Sequence, residues 1–267
     1  MKDYIYEDLI SSLKKNEKDF IYAALGIANS GPNSNSPYRF WFNDFKENHN
    51  KRCGDVYEFG VYKGDSLISI ALLAKNLNSK KHFWGFDTFS GFPKLSEEDD
   101  LKNFSERNGF SKDQINDVHL LMKLRLSKKE IENNKVNSSL IKLGKSGLFK
   151  DTSFEKLLEK IQLFSLDNIT LVKGEFKKTI FKHFSQKKRK IFSANIDCDL
   201  YEGYKTCLPL VFNNLEDGGF INLDEYYSLK YPGAKIATDE FLKQNKKARL
   251  IKNNTNEYEF DRYYISN

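Results

Sequence analysis

The chain is poor in the residues that build zinc sites and disulfide frameworks. Its three cysteines, Cys53, Cys198 and Cys207, form no CxxC pair, and its four histidines, His49, His82, His119 and His183, are scattered. That spacing argues against a Cys/His zinc site. An odd cysteine count points to free thiols in a reducing compartment. No apolar run approaches the roughly 18 residues of a membrane span. The opening residues, MKDYIYEDLI, carry acids early and lack the apolar segment of a secretory signal. A cytoplasmic protein with no membrane insertion is the expectation. GxGxxG is also missing, so the dinucleotide fingerprint fails.

Charged residues make up 30% of the chain and hydrophobic ones 39%, as in ordinary globular proteins. A length of 267 residues suits one large α/β domain, with or without appendages. The net charge of +6 raises nucleic acid or an acidic ligand as partners. The acids are interspersed and no arginine–aromatic patch stands out, which favours a lysine-rich background and no nucleic-acid partner. KKRK at 187–190 is most simply a solvated loop before a strand, with a nuclear-localisation signal as the other reading.

Residues 1–50 read as a helical extension. Ile5, Leu9 and Leu13 recur at helical spacing, and a second run spans Phe20 to Ile27. SGPNSNSP at 30–37 is a loop, and FWFNDF begins a short helix. From residue 51 to 267 strand and helix signals alternate. DVYEFG, HFWGFD, NITLVKG, KIFSANID, GGFINLD, ARLIK and EYEFDRYYIS read as strands. DSLISIALLAKNL, YKTCLPLVFNNL and ATDEFLKQ read as helices, with Pro209 a complication in the second. In the first, Ser66, Ile70 and Leu73 are expected near the sheet. This βαβ series predicts a Rossmann-like, doubly wound and mostly parallel sheet of seven strands. The last two strands are too close for a helical crossover, so they form an antiparallel hairpin. One interval breaks the rhythm. An insertion at about 94–151 is either a partly helical lid or a surface excursion. The apolar faces of the N-terminal helices suggest a homo-oligomer.

Two apolar runs end in acids. IFSANIDCDLYE at 191–202 and LEDGGFINLDE at 215–225 would bring Asp197, Asp199, Asp224 and Glu225 to the carboxyl edge of neighbouring strands. Open α/β sheets bind ligands at that edge. Four acids there repel one another unless a cation or a shared proton compensates. A divalent metal site follows, although Asp199 and Glu202 also suit a helix cap. Upstream, YEFGVYKGDS sets Gly60 and Gly64 between a strand and a helix, either as a ligand loop or as a tight turn. Glu58, just before the loop, suits a ligand ammonium group. Asp87 ends the second strand and suits two ribose hydroxyls, or a turn. Lys173, Gly174 and Glu175 end the third strand on the edge that faces a nucleobase, with Phe176 beside them facing either ligand or core.

Together these segments resemble the macrocin O-methyltransferase family, sugar O-methyltransferases that use S-adenosylmethionine (SAM). The resemblance rests on EFGVYKGDS at 58–66, FDTFSGFP at 86–93, VKGEFKKTI at 172–180, DCDLYEGY at 197–204 and GGFINLDEY at 218–226. It covers roughly residues 53–245 and implies a class I methyltransferase fold that uses Mg²⁺. Glu58 and the stretch Gly60, Val61, Tyr62, Gly64 and Ser66 then hold the methionine end of SAM. Asp87, with Thr88, holds the ribose, and Gly174 and Glu175 adjoin the base. Asp197, Asp224 and Glu225 fall on the metal-ligand positions, Asp197 also bordering SAM. Asp199 falls on the position of a candidate general base. The chain departs from the family where Asp224-Glu225 replaces two aspartates and where Cys198 replaces a glycine, which would narrow the acceptor pocket. The insertion matches nothing in the pattern.

The expected reaction is in-line methyl transfer to a sugar hydroxyl of a glycan, nucleotide sugar or glycosylated metabolite. An all-oxygen cation site suits Mg²⁺. The rivals are a metal-dependent methyltransferase of a catechol-like diol, a SAM- or carbohydrate-binding module without turnover, and an RNA methyltransferase.

Overall fold

The computed structural model describes residues 38–125, 148–186, 188–227, 229–253 and 261–267. The helical runs expected at 5–13 and 20–27, and the loop at 30–37, lie outside these residues.

Seven strands build one sheet in the order β3-β2-β1-β4-β5-β7-β6. They are β1 Asp55–Phe59, β2 Phe83–Asp87, β3 Ile169–Lys173, β4 Ile191–Ile196, β5 Leu215–Leu223, β6 Arg249–Asn253 and β7 Arg262–Ser266. β1 to β5 pair in parallel, while β7 runs antiparallel to both β5 and β6. The expected terminal hairpin is therefore present, with β7 inserted between β5 and β6. The first residues expected in its last strand, 257–260, lie outside the described set.

Alternation along the strands sorts side chains between two cores. Val56 points to one face and Tyr57 and Phe59 to the other. The first face is covered by α1 (Arg39–Asn48), α2 (Asp65–Asn76) and α4 (Phe154–Leu163). The second is covered by α5 (Phe176–Gln186), α6 (Tyr201–Phe212) and α7 (Pro232–Gln244). In α2, Ser66 and Ile70 are buried as expected; Leu73 is only half-buried, and Leu67, Ala71 and Ala74 take the inward positions. Both α4 and α5 lie where the sequence pattern names no helix. α4 is capped by Ser153, whose Oγ accepts from Lys156 N at 3.3 Å. α6 starts at Tyr201 and runs through Pro209 to Phe212, ending before the expected Leu215. Leu215 instead opens β5, which carries a register shift against β4 between Ile191 and Ser193. α7 starts with Pro232 in its first turn, where a missing N–H costs nothing.

The described part of the insertion is ordered as three short 3₁₀ turns, at Glu97–Asp99, Leu101–Asn103 and Glu106–Asn108, followed by α3 (Lys112–Arg125). Asp99 docks it on the sheet domain by accepting from Tyr201 N at 2.8 Å. Among the described residues, no helix is long and apolar enough to cross a membrane.

Candidate active site

A cavity of about 360 Å³ opens along the carboxyl edge of the sheet, a size typical of small-ligand pockets. One flank is the turn from β1 to α2. Gly60 has φ +91, and a Cβ there would stand 1.8 Å from the carbonyl oxygen of Asp197. Only glycine lets the loop pass this close to the end of β4. Gly60, Val61, Tyr62 and Ser66 line the cavity. Gly64 lies behind it, where a Cβ would meet Leu157 of α4.

Asp87 ties this loop to β2. Its Oδ2 accepts from Val61 N at 2.8 Å and Tyr62 N at 2.9 Å, and its Oδ1 accepts from Phe89 N at 2.7 Å. An ionised carboxylate offers about four acceptor sites, so roughly one remains for a ligand hydroxyl. Asp87 thus serves the turn and also faces the cavity. Thr88 lines the cavity while its Oγ1 donates to the Gly91 carbonyl at 2.9 Å.

Glu58 is placed differently from the sequence expectation. It is fully buried beneath the loop and does not line the cavity. Its Oε1 accepts from Ser66 Oγ at 2.6 Å and from Asn195 Nδ2 at 2.8 Å. Asn195 Oδ1 in turn accepts from Asn222 Nδ2 at 2.8 Å, so one polar row crosses β1, β4 and β5. Burial pushes the Glu58 carboxyl up to about 8, against the hydrogen bonds from Ser66 and Asn195 that lower it. Gly174 and Glu175 also stand back from the cavity. Glu175 is exposed and pairs with Lys178 at 2.9 Å, whereas the next residue, Phe176, does line the cavity.

The opposite flank carries the acids. Asp197, Asp199 and Glu225 each offer a carboxylate oxygen within 4.8 Å of the others. Asp199 has φ +60, and Leu200 N closes a tight turn around it by donating to the Cys198 carbonyl at 2.6 Å. Such strain in a non-glycine residue is characteristic of functional sites. Tyr204 supports the other side, donating to the Ile196 carbonyl at 2.8 Å and accepting from Glu225 N at 3.0 Å. Tyr38 Oη donates to Asp197 Oδ2 at 2.8 Å. Burial, then the neighbouring carboxylates, holds the Asp197 and Asp199 carboxyls well above the ordinary range. Lys230 partly offsets this at Asp199.

Of the acids expected to hold a metal, Asp197 and Glu225 converge with Asp199, and Asp224 is the leading charged neighbour of Asp197. Asp224 also accepts from Arg262 Nη1 at 2.6 Å, with both side chains largely buried. Cys198 lines the cavity, and its thiol lies 2.5 Å from where a Cβ on Gly203 would stand. The absent side chain at Gly203 therefore leaves a notch that receives the sulfur.

Several site residues carry no local sequence signal. Tyr38 reaches Asp197 across 159 positions and Arg262 reaches Asp224 across 38. An aromatic rim is likewise assembled by folding. Phe149 packs on Tyr62 at 5.1 Å and on Phe92 at 4.8 Å, and Phe92 meets Tyr231 at 5.7 Å. Phe149 is 38% exposed and has φ +61. Its segment is pinned by Phe92 N donating to the Leu148 carbonyl at 2.9 Å and Thr152 Oγ1 donating to the Tyr62 carbonyl at 2.6 Å.

Known proteins share this architecture. Calicheamicin methyltransferase CalS11 is 18% identical, with 98% of this chain and 86% of that chain covered and a TM-score of 0.57. An apo structure of CalS11, described as a TDP-rhamnose 3'-O-methyltransferase, is 17% identical over 97% of this chain and 90% of that chain, with a TM-score of 0.53. The O-methyltransferase NovP is 18% identical over 84% of this chain and 78% of that chain, with a TM-score of 0.54. At such identities the likeness is one of fold. No curated protein matches the chain in sequence. The family model for macrocin-O-methyltransferase (TylF) matches residues 46–168 and 152–258, well over half the chain. The chain therefore belongs to the macrocin-O-methyltransferase family and is a SAM-dependent O-methyltransferase.

Proposed function

We propose that the protein methylates a sugar hydroxyl of a glycan, nucleotide sugar or glycosylated metabolite, with Mg²⁺ assisting, in the cytoplasm. The observation that carries this reading is the carboxylate trio Asp197, Asp199 and Glu225 beside the glycine loop in one cavity. Burial and then the surrounding carboxylates raise the proton affinity of Asp197 and Asp199, a cost that a counter-charge would offset. Their donors are all hard oxygens, which suits Mg²⁺. When bound, the cation supplies charge compensation and Lewis acidity towards an acceptor oxygen.

The chain's own residues supply the rest. The Gly60–Ser66 loop and Asp87 hold the donor, with Asp87 taking one ribose hydroxyl at its remaining acceptor site. Phe176 packs against the base. Asp197, Asp224 and Glu225 would hold the cation, and Asp199, fixed by its strained turn, takes the proton of the acceptor hydroxyl as the oxygen attacks the methyl. The aromatic rim shelters the reacting groups from water and offers its faces to a sugar ring. CalS11 supports the sugar assignment, since that protein is described as acting on TDP-rhamnose.

The same rim admits a second reading, a catechol-like diol stacked between Phe92 and Phe149. A panel of nucleotide sugars, glycosides and catechols, assayed with labelled SAM, separates the two. Transfer only to sugars supports the proposal, and transfer only to catechols replaces it.

A further inference from the structure

The chain around α1 sends two hydrogen-bond donors into the sheet, and they do different work. Trp41 Nε1 donates to Ser193 Oγ at 2.9 Å inside the core, where Trp41, Phe42 and Phe45 are buried together. Phe40 stacks on Tyr264 of β7 with ring centroids 4.5 Å apart. The helix is therefore docked by contacts that need no help from the hydroxyl of Tyr38. Tyr38 stands one residue before α1 and lines the cavity. Its ring packs on Trp41 and Phe42, with centroids 6.2 and 6.3 Å away, while its Oη donates to Asp197 Oδ2 at 2.8 Å.

Asp197 is an acid that needs orienting. Its main chain is fixed to β1, with Asp197 N donating to the Phe59 carbonyl at 2.9 Å. Its carboxylate faces those of Asp224, Asp199 and Glu225, which repel it. Tyr38 holds one carboxylate oxygen against that repulsion. A phenol is a neutral donor at neutral pH, so it adds no positive charge to compete with a cation. Donation to an ionised acceptor is also stronger than donation to a neutral one. Oδ1 is left to face the other acids.

We infer that Tyr38 is a positioning residue, whose hydroxyl fixes the Asp197 carboxylate in the orientation that binds the cation. This rests on the cation reading above. Tyr38 also lies before the stretch matched by the family model, which begins at residue 46. The N-terminal part of the chain thereby contributes a working group to the site as well as packing to the core.

The test compares Tyr38→Phe with Trp41→Phe, since each removes one of the two donors. Mg²⁺ is titrated calorimetrically into each protein saturated with S-adenosylhomocysteine. Tyr38→Phe should weaken Mg²⁺ binding about tenfold, as loss of a partner that orients a ligand does. Its Tm should stay within about 3 °C of wild type, because the ring and its packing remain. Trp41→Phe should lower Tm by about 3 °C or more through lost core contact. Its Mg²⁺ affinity should nonetheless stay within about threefold, because the Tyr38 hydroxyl is untouched. Unchanged Mg²⁺ affinity in Tyr38→Phe overturns the inference. So does an equal loss in both variants, which would trace the effect to helix docking. A Tyr38→Phe protein that loses S-adenosylhomocysteine affinity but keeps Mg²⁺ also overturns it, by placing the hydroxyl at the donor. Wild-type protein that binds S-adenosylhomocysteine but no Mg²⁺ overturns the underlying cation reading, a distinct result.

Discussion

Two aspartates at the same sheet edge live in opposite surroundings. Asp87, at the end of β2, accepts three backbone N–H bonds and is satisfied by its own turn. Asp197, at the end of β4, accepts from Tyr38 and otherwise confronts the carboxylates of Asp199, Asp224 and Glu225. The first region is held by its own turn, with about one acceptor site of Asp87 left over. The second crowds carboxylates together, which a partner of opposite sign would offset. Fold topology alone therefore divides the edge into a half saturated by backbone hydrogen bonds and a half crowded with acids.

The contrast can be broken from either side. The largest effect is expected at the acid flank. Asp197→Ala should lower turnover by roughly 10²–10³-fold, the scale of removing a preorganised electrostatic group, while S-adenosylhomocysteine binding changes little. Methyl-transfer rates and calorimetry on the same variant check this, and unimpaired turnover would remove Asp197 from the chemistry. At the other flank, Asp87→Ala strips an acceptor from three backbone donors. Each unsatisfied donor costs about 1–3 kcal/mol, so the donor ligand should bind about tenfold or more weakly. Unchanged affinity would reduce Asp87 to a turn residue distant from the donor.

Glu58 sharpens the comparison through pH. Its folded-state value of about 8 lies above the ordinary 4.5, so the folded chain keeps a proton that the unfolded chain releases. That stabilisation is full below about pH 4.5 and is lost as the pH rises to about 8. Glu58→Gln, which mimics the protonated form, should flatten this part of the stability curve, a component of at most about 5 kcal/mol. Thermal melts from pH 5 to 8 show it as a smaller fall in Tm than in wild type. An identical fall in both proteins would mean that Glu58 is ionised in the fold. The smallest effect is expected at the rim. Phe149→Ala should change stability by under about 0.5 kcal/mol, because the ring is partly exposed. It should raise the acceptor KM about threefold to tenfold through lost stacking, with kcat held. A change in kcat at constant KM would place the ring in the chemistry instead.

The sheet was legible because the strands are short apolar runs, three of which end in or are followed by an acid, at Asp87, Asp197 and Asp224. The glycine turn was legible because Gly60 and Gly64 punctuate a strand-to-helix step. α5 was not, since FKKTIFKHFSQ buries only Ile180 and His183 and reads as a polar stretch. The acid cluster was legible as a group, because Asp197, Asp199, Asp224 and Glu225 follow two neighbouring strands. Tyr38 and Arg262, which bond Asp197 and Asp224, act across the fold and leave no trace near the motifs. The position of Glu58 was misjudged for a similar reason. Adjacency to the glycine loop suggested ligand contact, while strand alternation turns the side chain inward onto Ser66 and Asn195.

If the acid flank serves sugar O-methylation through a divalent cation, removing that cation must stop transfer. The most direct measurement is methyl transfer from labelled SAM to a panel of nucleotide sugars and glycosides, before and after EDTA treatment and Mg²⁺ readdition. Transfer to an acceptor with neighbouring hydroxyls, lost with EDTA and restored by Mg²⁺, is the expected result. Transfer to a sugar that persists in EDTA and in Asp197→Ala would contradict it.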